Sequence, residues 1–167
     1  MFRLEQNYDE HNEAIFHYIY LLVGHKETAE DLTQETFLKA LKTPNYRGEA
    51  QIKTWLITIA HNTVYDFYRR KKLLKFVPFL AHYEEIDHTY TPEMWLDNQS
   101  TSYLLYEALG KLKFEYREAV VLRKIEGYSI KETAQILQWN ESKVKNNTER
   151  GLKALRTLLG GEWDEFR

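Results

Sequence analysis

The stretch from residue 126 to residue 159 constrains the fold most, because it carries the start patterns of two closely spaced helices. Ser129 and Glu132 have capping-box spacing, in which the serine oxygen accepts a backbone N–H and the glutamate reaches back to the serine amide. This pattern predicts a helix that begins at Ile130. After a short polar break, Asn140 is a favoured N-cap residue and predicts a second helix.

The second predicted helix has an apolar face and a polar, basic face at helical spacing. The residues predicted to face inward are Val144, Thr148, Gly151, Leu152, Leu155, Leu158 and Leu159. The residues predicted to face outward are Ser142, Lys143, Asn146, Glu149, Arg150, Lys153 and Arg156. Trp139, just before the N-cap, is expected to pack on Val144 as a hydrophobic staple.

Two helices joined by a tight turn, with cations on the second, are typical of a DNA-reading helix-turn-helix. An ordinary helical hairpin with a solvated basic face is the alternative. Asn146 and Asn147 favour DNA, because asparagine can make paired hydrogen bonds to adenine, while lysine and arginine bind guanine or phosphate.

The composition predicts an all-α protein. The 167 residues include only 3 prolines and 7 glycines, and strand-like alternation is scarce. The chain has no cysteine, which excludes disulfides and cysteine-based metal sites. No apolar run approaches the roughly 20 residues needed to cross a bilayer, and the first residues are polar rather than signal-like. We therefore expect a cytoplasmic protein with no insertion into a membrane.

Charge is segregated along the chain. The formal net charge of −2, from 23 basic and 25 acidic residues, argues against coating nucleic acid by bulk electrostatics. Residues 69–75 nevertheless form a basic cluster, and residues 83–99 contain five acidic residues with no lysine or arginine. Any DNA binding must therefore come from local basic patches.

Helical periodicity predicts two small helical domains, residues 1–75 and 101–167, joined by a flexible acidic linker over residues 76–100. The predicted helices of the first domain cover residues 10–23, 28–41 and 52–72, and Gly24 is expected to end the first. The linker contains a predicted short helix at residues 93–97. Further helices are expected from residue 102 and over residues 116–125, before the helix-turn-helix.

The predicted helix over residues 28–41 has a buried face and an acidic strip on the opposite side. The inward residues are Ala29, Leu32, Thr33, Thr36, Phe37, Ala40 and Leu41. The strip consists of Asp31, Gln34, Glu35 and Leu38. It is either simply solvated or a polar-rimmed protein contact.

The predicted helix over residues 52–72 carries aromatic, amide and cationic side chains on a second, outward stripe. The predicted buried residues are Ile52, Trp55, Leu56, Ile59, Ala60, Thr63 and Phe67. The stripe contains Thr58, His61, Asn62, Tyr65 and Arg69, with Asp66 beside it. Such a face suits single-stranded nucleic acid, whose bases stack on rings, although tyrosine is also common on half-buried surfaces.

Nothing in the sequence indicates catalysis. The six histidines lack the spacing of a helical zinc site, and neither a P-loop nor a GxGxxG motif occurs. His82 and His88, among acidic residues, are a conceivable metal site, but a flexible acidic linker explains them better. We expect neither an enzyme nor a cofactor.

Four stretches in order resemble the bacterial extracytoplasmic-function (ECF) sigma factors of the sigma-70 family. They are residues 30–37 (EDLTQETF), residues 46–48 (YRG), residues 54–62 (TWLITIAHN) with Asp66, Arg69 and Arg70, and the terminal helix-turn-helix. The resemblance implies a region 2 helical bundle and a region 4 helix-turn-helix, which direct core RNA polymerase to promoters.

The resemblance also implies roles for individual residues. Asp31, Gln34, Glu35 and Leu38 are the expected contact with the clamp helices of the β′ subunit. Tyr46, Arg47, Gly48, Asn62, Tyr65, Asp66, Arg69 and Arg70 are expected to bind the single-stranded minus-10 element. Ser142, Lys143, Lys145, Asn146, Asn147 and Arg150 are expected to bind duplex DNA at the minus-35 element.

Two departures affect the expected promoter sequence: His61 and Asn147 stand where the family frequently has arginine. The resemblance further implies contact with the polymerase β subunit, an anti-sigma factor that is often membrane-anchored, and a stress or envelope-response regulon. A stand-alone helix-turn-helix regulator and an all-α protein adaptor are the alternatives. Only the sigma factor requires the acidic strip to bind core polymerase.

Overall fold

Every regular element in the described part of the chain is a helix, as the composition predicts. The computed structural model describes residues 3–43, 46, 51–74, 99–161 and 163. The chain divides into two compact units, Met1–Ile86 and Asp87–Arg167. The predicted short helix at residues 93–97 lies outside the described residues, as does most of the predicted linker.

The described residues of the first unit form three mutually packed helices, α1 (Leu4–Val23), α2 (Lys26–Lys42) and α3 (Ile52–Leu74). Gly24 ends α1 as predicted, with a left-handed φ of 74°. Its N–H donates to the Tyr20 carbonyl at 2.9 Å. Only glycine adopts this conformation without steric cost, so α2 can start two residues later.

α1 begins six residues earlier than predicted, although its first two turns are polar. The ring of Tyr8 packs edge-on against Phe37 of α2 with centroids 4.9 Å apart. Asn7 is buried, and its side chain donates to the Arg3 carbonyl at 2.7 Å. One aromatic contact therefore anchors a segment whose sequence has no apolar period.

The buried face of α3 differs from the predicted one. Ile57 and Val64 are fully buried, although the prediction omitted them, and His61, predicted to face outward, is only 4% exposed. α3 packs against both α1 and α2, so it buries a wider face than one apolar stripe. His61 and Val64 lie on the part of this face that the stripe did not include.

The second unit contains four α-helices and one π-helical turn among its described residues. They are α4 (Gln99–Lys111), α5 (Phe114–Val120), the π turn (Val121–Ile125), α6 (Ile130–Leu137) and α7 (Glu141–Leu159). α7 packs against α4, α5 and α6, which makes it the central helix of this unit. The start of α6 is the one that the capping box predicts.

Two devices fix the helices around α7. A Cβ added to Gly151 would lie 2.6 Å from Val120 Cγ2, so glycine permits the close crossing of α5 and α7. The Arg117 guanidinium donates to the carbonyls of Leu109, Gly110 and Leu112 at 2.9, 2.8 and 3.2 Å. These bonds tie α5 to the end of α4, where the last carbonyls of a helix lack the usual helical donors.

Two leucines predicted to face inward are exposed instead. Leu41 lies in the last turn of α2 and Leu158 in the last turn of α7. Helical spacing assigns them to the apolar side. A helix end is covered by fewer neighbouring residues than its middle, so the same spacing does not bury them.

Candidate nucleic-acid and protein interfaces

The four residues of the acidic strip on α2 lie on one side of the helix. Asp31, Gln34 and Leu38 are exposed, and Leu38 exposes 55% of its surface. Glu35 is half-buried. Leu41 is also exposed, three residues after Leu38, so it borders the end of the strip. An acidic surface with exposed leucines suits a protein contact better than a nucleic acid.

An ionic network joins this strip to α3, and Lys39 is its centre. Lys39 Nζ lies 3.1 Å from Glu35 Oε1 and 3.1 Å from Asp66 Oδ2. Arg69 pairs with Asp66, and Arg70 Nη2 lies 3.4 Å from Glu35 Oε1. The carboxylate of Asp66 therefore has two cationic neighbours and repels a phosphate less than a lone aspartate would.

The outward stripe of α3 is narrower than predicted. Asn62, Tyr65 and Arg69 are exposed and share one side, at helical spacing of three and four residues. The His61 ring is buried behind them, with its centroid 4.5 Å from that of Tyr65. His61 therefore supports the Tyr65 ring rather than presenting its own surface.

The loop before α3 is described only at Tyr46 among its predicted binding residues. Tyr46 is half-buried, and its ring centroid lies 5.2 Å from that of Trp55. Arg47 and Gly48 lie outside the described residues, as do His82 and His88. Their predicted roles stay predictions.

The helix-turn-helix has the local geometry that its sequence predicts. The Ser129 hydroxyl accepts from the Glu132 N–H at 3.1 Å, and Glu132 Oε2 accepts from the Ser129 N–H at 2.8 Å. The bond that the Ser129 N–H donates to the carboxylate is the main cause of a lowered pKa of Glu132, and the Ser129 hydroxyl adds to it. Asn140 Oδ1 accepts from the Lys143 N–H at 2.7 Å, which caps α7.

The turn between α6 and α7 is made by a residue in the left-handed region. Gln138 has φ 55° and ψ 40°, a conformation that costs a non-glycine residue about 1 kcal/mol. The N–H of Trp139 donates to the Ala134 carbonyl at 3.0 Å, which offsets part of this cost. The hydrophobic staple between Trp139 and Val144 stays a prediction. The ring of Trp139 does contact Lys143, whose ammonium lies 4.2 Å from the ring centroid.

Most of the predicted minus-35 residues lie on the outward face of α7, and one does not. Ser142, Lys145, Asn146 and Arg150 are exposed, and Lys143 is half-buried. Asn147 is only 6% exposed, and its Nδ2 donates to the Lys143 carbonyl at 3.0 Å. One of the two Nδ2 hydrogens is used inside the helix, so the predicted contact of Asn147 with DNA stays a prediction.

A groove of about 430 Å³ lies between the start of α5 and the outward face of α7. Its lining residues are Lys113, Glu115, Tyr116, Asn140, Ser142, Lys143, Asn146, Asn147 and Arg150. The sequence did not predict Lys113, Glu115 and Tyr116 as part of a site, because no periodicity within α5 relates them to α7. The packing of α5 on α7 brings them beside the outward face of α7. We call this feature the basic groove.

Each of the two units contains a match to a different region of one known protein family. The profile of Sigma-70 region 2 matches residues 8–73, and that of Sigma-70 region 4 matches residues 102–155. These matches define a two-region transcription initiation factor, whose helix-turn-helix lies in the second region.

Individual relatives narrow the class. RNA polymerase sigma factor YlaC of Bacillus subtilis is 36% identical over 166 residues, 98% of this chain and 96% of YlaC. ECF RNA polymerase sigma factor SigX of the same organism is 31% identical over 154 residues, 89% of this chain and 79% of SigX. The chain belongs to the ECF RNA polymerase sigma factors, a family of initiation factors rather than enzymes.

A solved structure supports the fold. The sigma factor RpoE of Bartonella quintana, in complex with the anti-sigma factor NepR, superposes with a TM-score of 0.74 at 25% identity. The match covers 94% of this chain and 96% of RpoE.

Within the described residues, no helix has the length and apolar character needed to span a bilayer.

Proposed function

We propose that the acidic strip on α2 binds the clamp helices of the polymerase β′ subunit, and that the polymerase β subunit supplies a further contact. Asp31, Gln34 and Leu38 are the exposed members of the strip. Asp31 makes no ion pair with any described residue, so its charge is available to a basic partner. Leu38 adds apolar surface that a solvated helix would not need.

The stripe on α3 is proposed to hold the unpaired minus-10 strand, together with the loop that contains Tyr46, Arg47 and Gly48. Tyr65 offers a ring for base stacking, Asn62 an amide for a base edge, and Arg69 and Arg70 positive charge for the backbone. Asp66 holds Arg69 in place through their ion pair. Residues 1–75 would form this domain, and residues 76–100 the linker.

The outward face of α7 is proposed to read the minus-35 element in the major groove, as part of a domain over residues 101–167. Asn146 and Arg150 lie one turn apart and can reach neighbouring base edges. Each good bidentate base contact discriminates by about 1–3 kcal/mol. Ser142 and Lys145 flank them and suit phosphate contacts.

The observation that carries the proposal is the placement of the strip and the stripe on adjacent helices joined by Lys39. A protein contact on α2 and a strand-binding stripe on α3 share one ionic network, with Lys39 Nζ 3.1 Å from both Glu35 and Asp66. A stand-alone regulator has no use for an acidic protein contact beside a nucleic-acid stripe. The family matches to both halves likewise favour the sigma factor over that regulator and over a protein adaptor.

We further propose that an anti-sigma factor, which is often membrane-anchored in this family, covers these surfaces until a stress or envelope signal releases the chain. The complex of RpoE with NepR in Bartonella quintana supports a partner of this kind. A cytoplasmic location and the absence of catalysis follow from the proposed function, because core polymerase supplies the active site.

Charge reversal at Asp31 tests the polymerase contact. Asp31→Arg should abolish co-purification with core RNA polymerase, whereas Glu13→Arg, the same charge change at an exposed site on α1, should not. Asp31 is preferable to Glu35, since Glu35→Arg would also break two ion pairs within the unit. Retention of polymerase by Asp31→Arg would refute the assignment of the strip.

Run-off transcription tests the function as a whole. Core polymerase supplemented with the chain should initiate at discrete genomic sites, and sequencing of the starts should reveal a common minus-10 and minus-35 pair at constant spacing. Asn146→Ala should relax selection at minus-35 positions only. Starts without any common upstream sequence would contradict the proposal.

A further inference from the structure

Glu115 places a carboxylate inside the basic groove. Its Oε1 lies 3.4 Å from Lys143 Nζ, and its Oε2 lies 3.8 Å from Lys113 Nζ. Lys143 and Glu115 are each about two-fifths exposed at the side chain, so both ends of the pair face the groove's opening. An acidic side chain therefore lies where the proposed function places a DNA backbone.

We propose that Glu115 is a specificity-determining residue, because its carboxylate occupies, against Lys143 and Lys113, the position of a DNA phosphate. This inference rests on the proposed minus-35 function of α7. Sequence-independent binding comes almost entirely from cations that contact phosphates. Glu115 lowers that component and leaves Asn146 and Arg150, which carry sequence discrimination, without an acidic partner among the described residues.

A second contact also holds Lys143 in this arrangement. Its ammonium lies 4.2 Å from the centroid of the Trp139 ring, within the range of a cation–π contact. Each contact alone is weak at an exposed site. Together they make a phosphate compete for Lys143, and only DNA already held by base contacts or by polymerase competes well.

The test measures binding of the full chain to a short DNA duplex of arbitrary sequence by fluorescence anisotropy over a range of salt concentrations. Glu115→Gln should raise the affinity on the order of threefold to tenfold at low salt. The slope of log affinity against log salt should steepen by about 0.9 for each phosphate gained. Glu13→Gln, which makes the same change in net charge on α1, should leave both unchanged.

A variant without the two lysines shows whether the effect of Glu115 depends on them or only on net charge. When Lys113 and Lys143 are both replaced by methionine, Glu115→Gln should have no more effect than Glu13→Gln. Unchanged or weaker binding by Glu115→Gln, or an undiminished gain without the two lysines, would overturn the inference. Because the probe has no promoter and the assay no polymerase, this result is independent of run-off transcription.

Discussion

Asn146 and Asn147 are neighbours on α7, yet their side chains have different surroundings. Both line the basic groove, but Asn146 is exposed, whereas Asn147 is buried and donates to the Lys143 carbonyl. Helical spacing places position 147 between Val144 and Gly151, which lie on the buried side. We therefore expect the two asparagines to differ in role, although the sequence predicts that both bind DNA.

The same substitution at the two positions tests this difference. Asn147→Asp should lower the free energy of unfolding by about 1–3 kcal/mol, because a carboxylate would replace a buried donor that faces a carbonyl. Asn146→Asp should change it by less than about 0.5 kcal/mol, yet weaken minus-35 binding through repulsion of DNA. Thermal melts and anisotropy check both, and equal destabilisation would contradict the assignment.

Gly151 is the residue at which α5 and α7 approach most tightly among the glycines described. A Cβ there would lie 2.6 Å from Val120 Cγ2 and 3.1 Å from the Tyr116 carbonyl oxygen. Gly151→Ala should therefore cost about 1–3 kcal/mol of stability in chemical denaturation. Gly161→Ala, whose added Cβ meets nothing within 4 Å, is the control, and a stable Gly151→Ala would contradict this packing.

The capping box gives α6 a pH-dependent element. The N–H of Ser129, and then its hydroxyl, lower the pKa of Glu132 in the folded chain. A depressed folded pKa means that the contribution of Glu132 is complete above its unfolded pKa. It is then lost as the pH falls through the folded pKa.

Two variants test the capping box. Ser129→Ala should lower the free energy of unfolding by about 1 kcal/mol. The stability difference between the native chain and Glu132→Gln should shrink as the pH is lowered, which denaturation at several pH values measures. A difference that stays constant or grows in acid would show that the carboxylate does not act in this way.

The sequence predicted the starts of α6 and α7 better than the buried face of α3. The starts of α6 and α7 follow from Ser129 and Asn140, because a cap is a local hydrogen bond between residues close in sequence. The buried face of α3 could not be predicted in full, since it depends on two partner helices. The π turn at Val121–Ile125 left no pattern in the sequence either.

The predicted interfaces differ in the same way. The acidic strip on α2 was visible because its exposed members share one period. The basic groove was not, because Lys113 and Glu115 join it only through the packing of α5 on α7. Local periodicity identifies a face, whereas contact between two helices completes a site.

The charge of the whole molecule explains why recognition is divided. A chain of net charge −2 has little general attraction for DNA, and its cations are concentrated on α3 and α7. Several of them pair with carboxylates, as Arg69 and Lys143 do. We therefore expect the free chain to bind duplex promoter weakly and the complex with core polymerase to bind it specifically.

The most direct test is a titration of one promoter fragment, identified by run-off transcription, with the free chain and with the polymerase complex at physiological salt. The complex should bind the promoter in preference to a scrambled fragment. The free chain should bind both fragments weakly and with little preference. Tight, sequence-specific binding by the free chain would contradict the account.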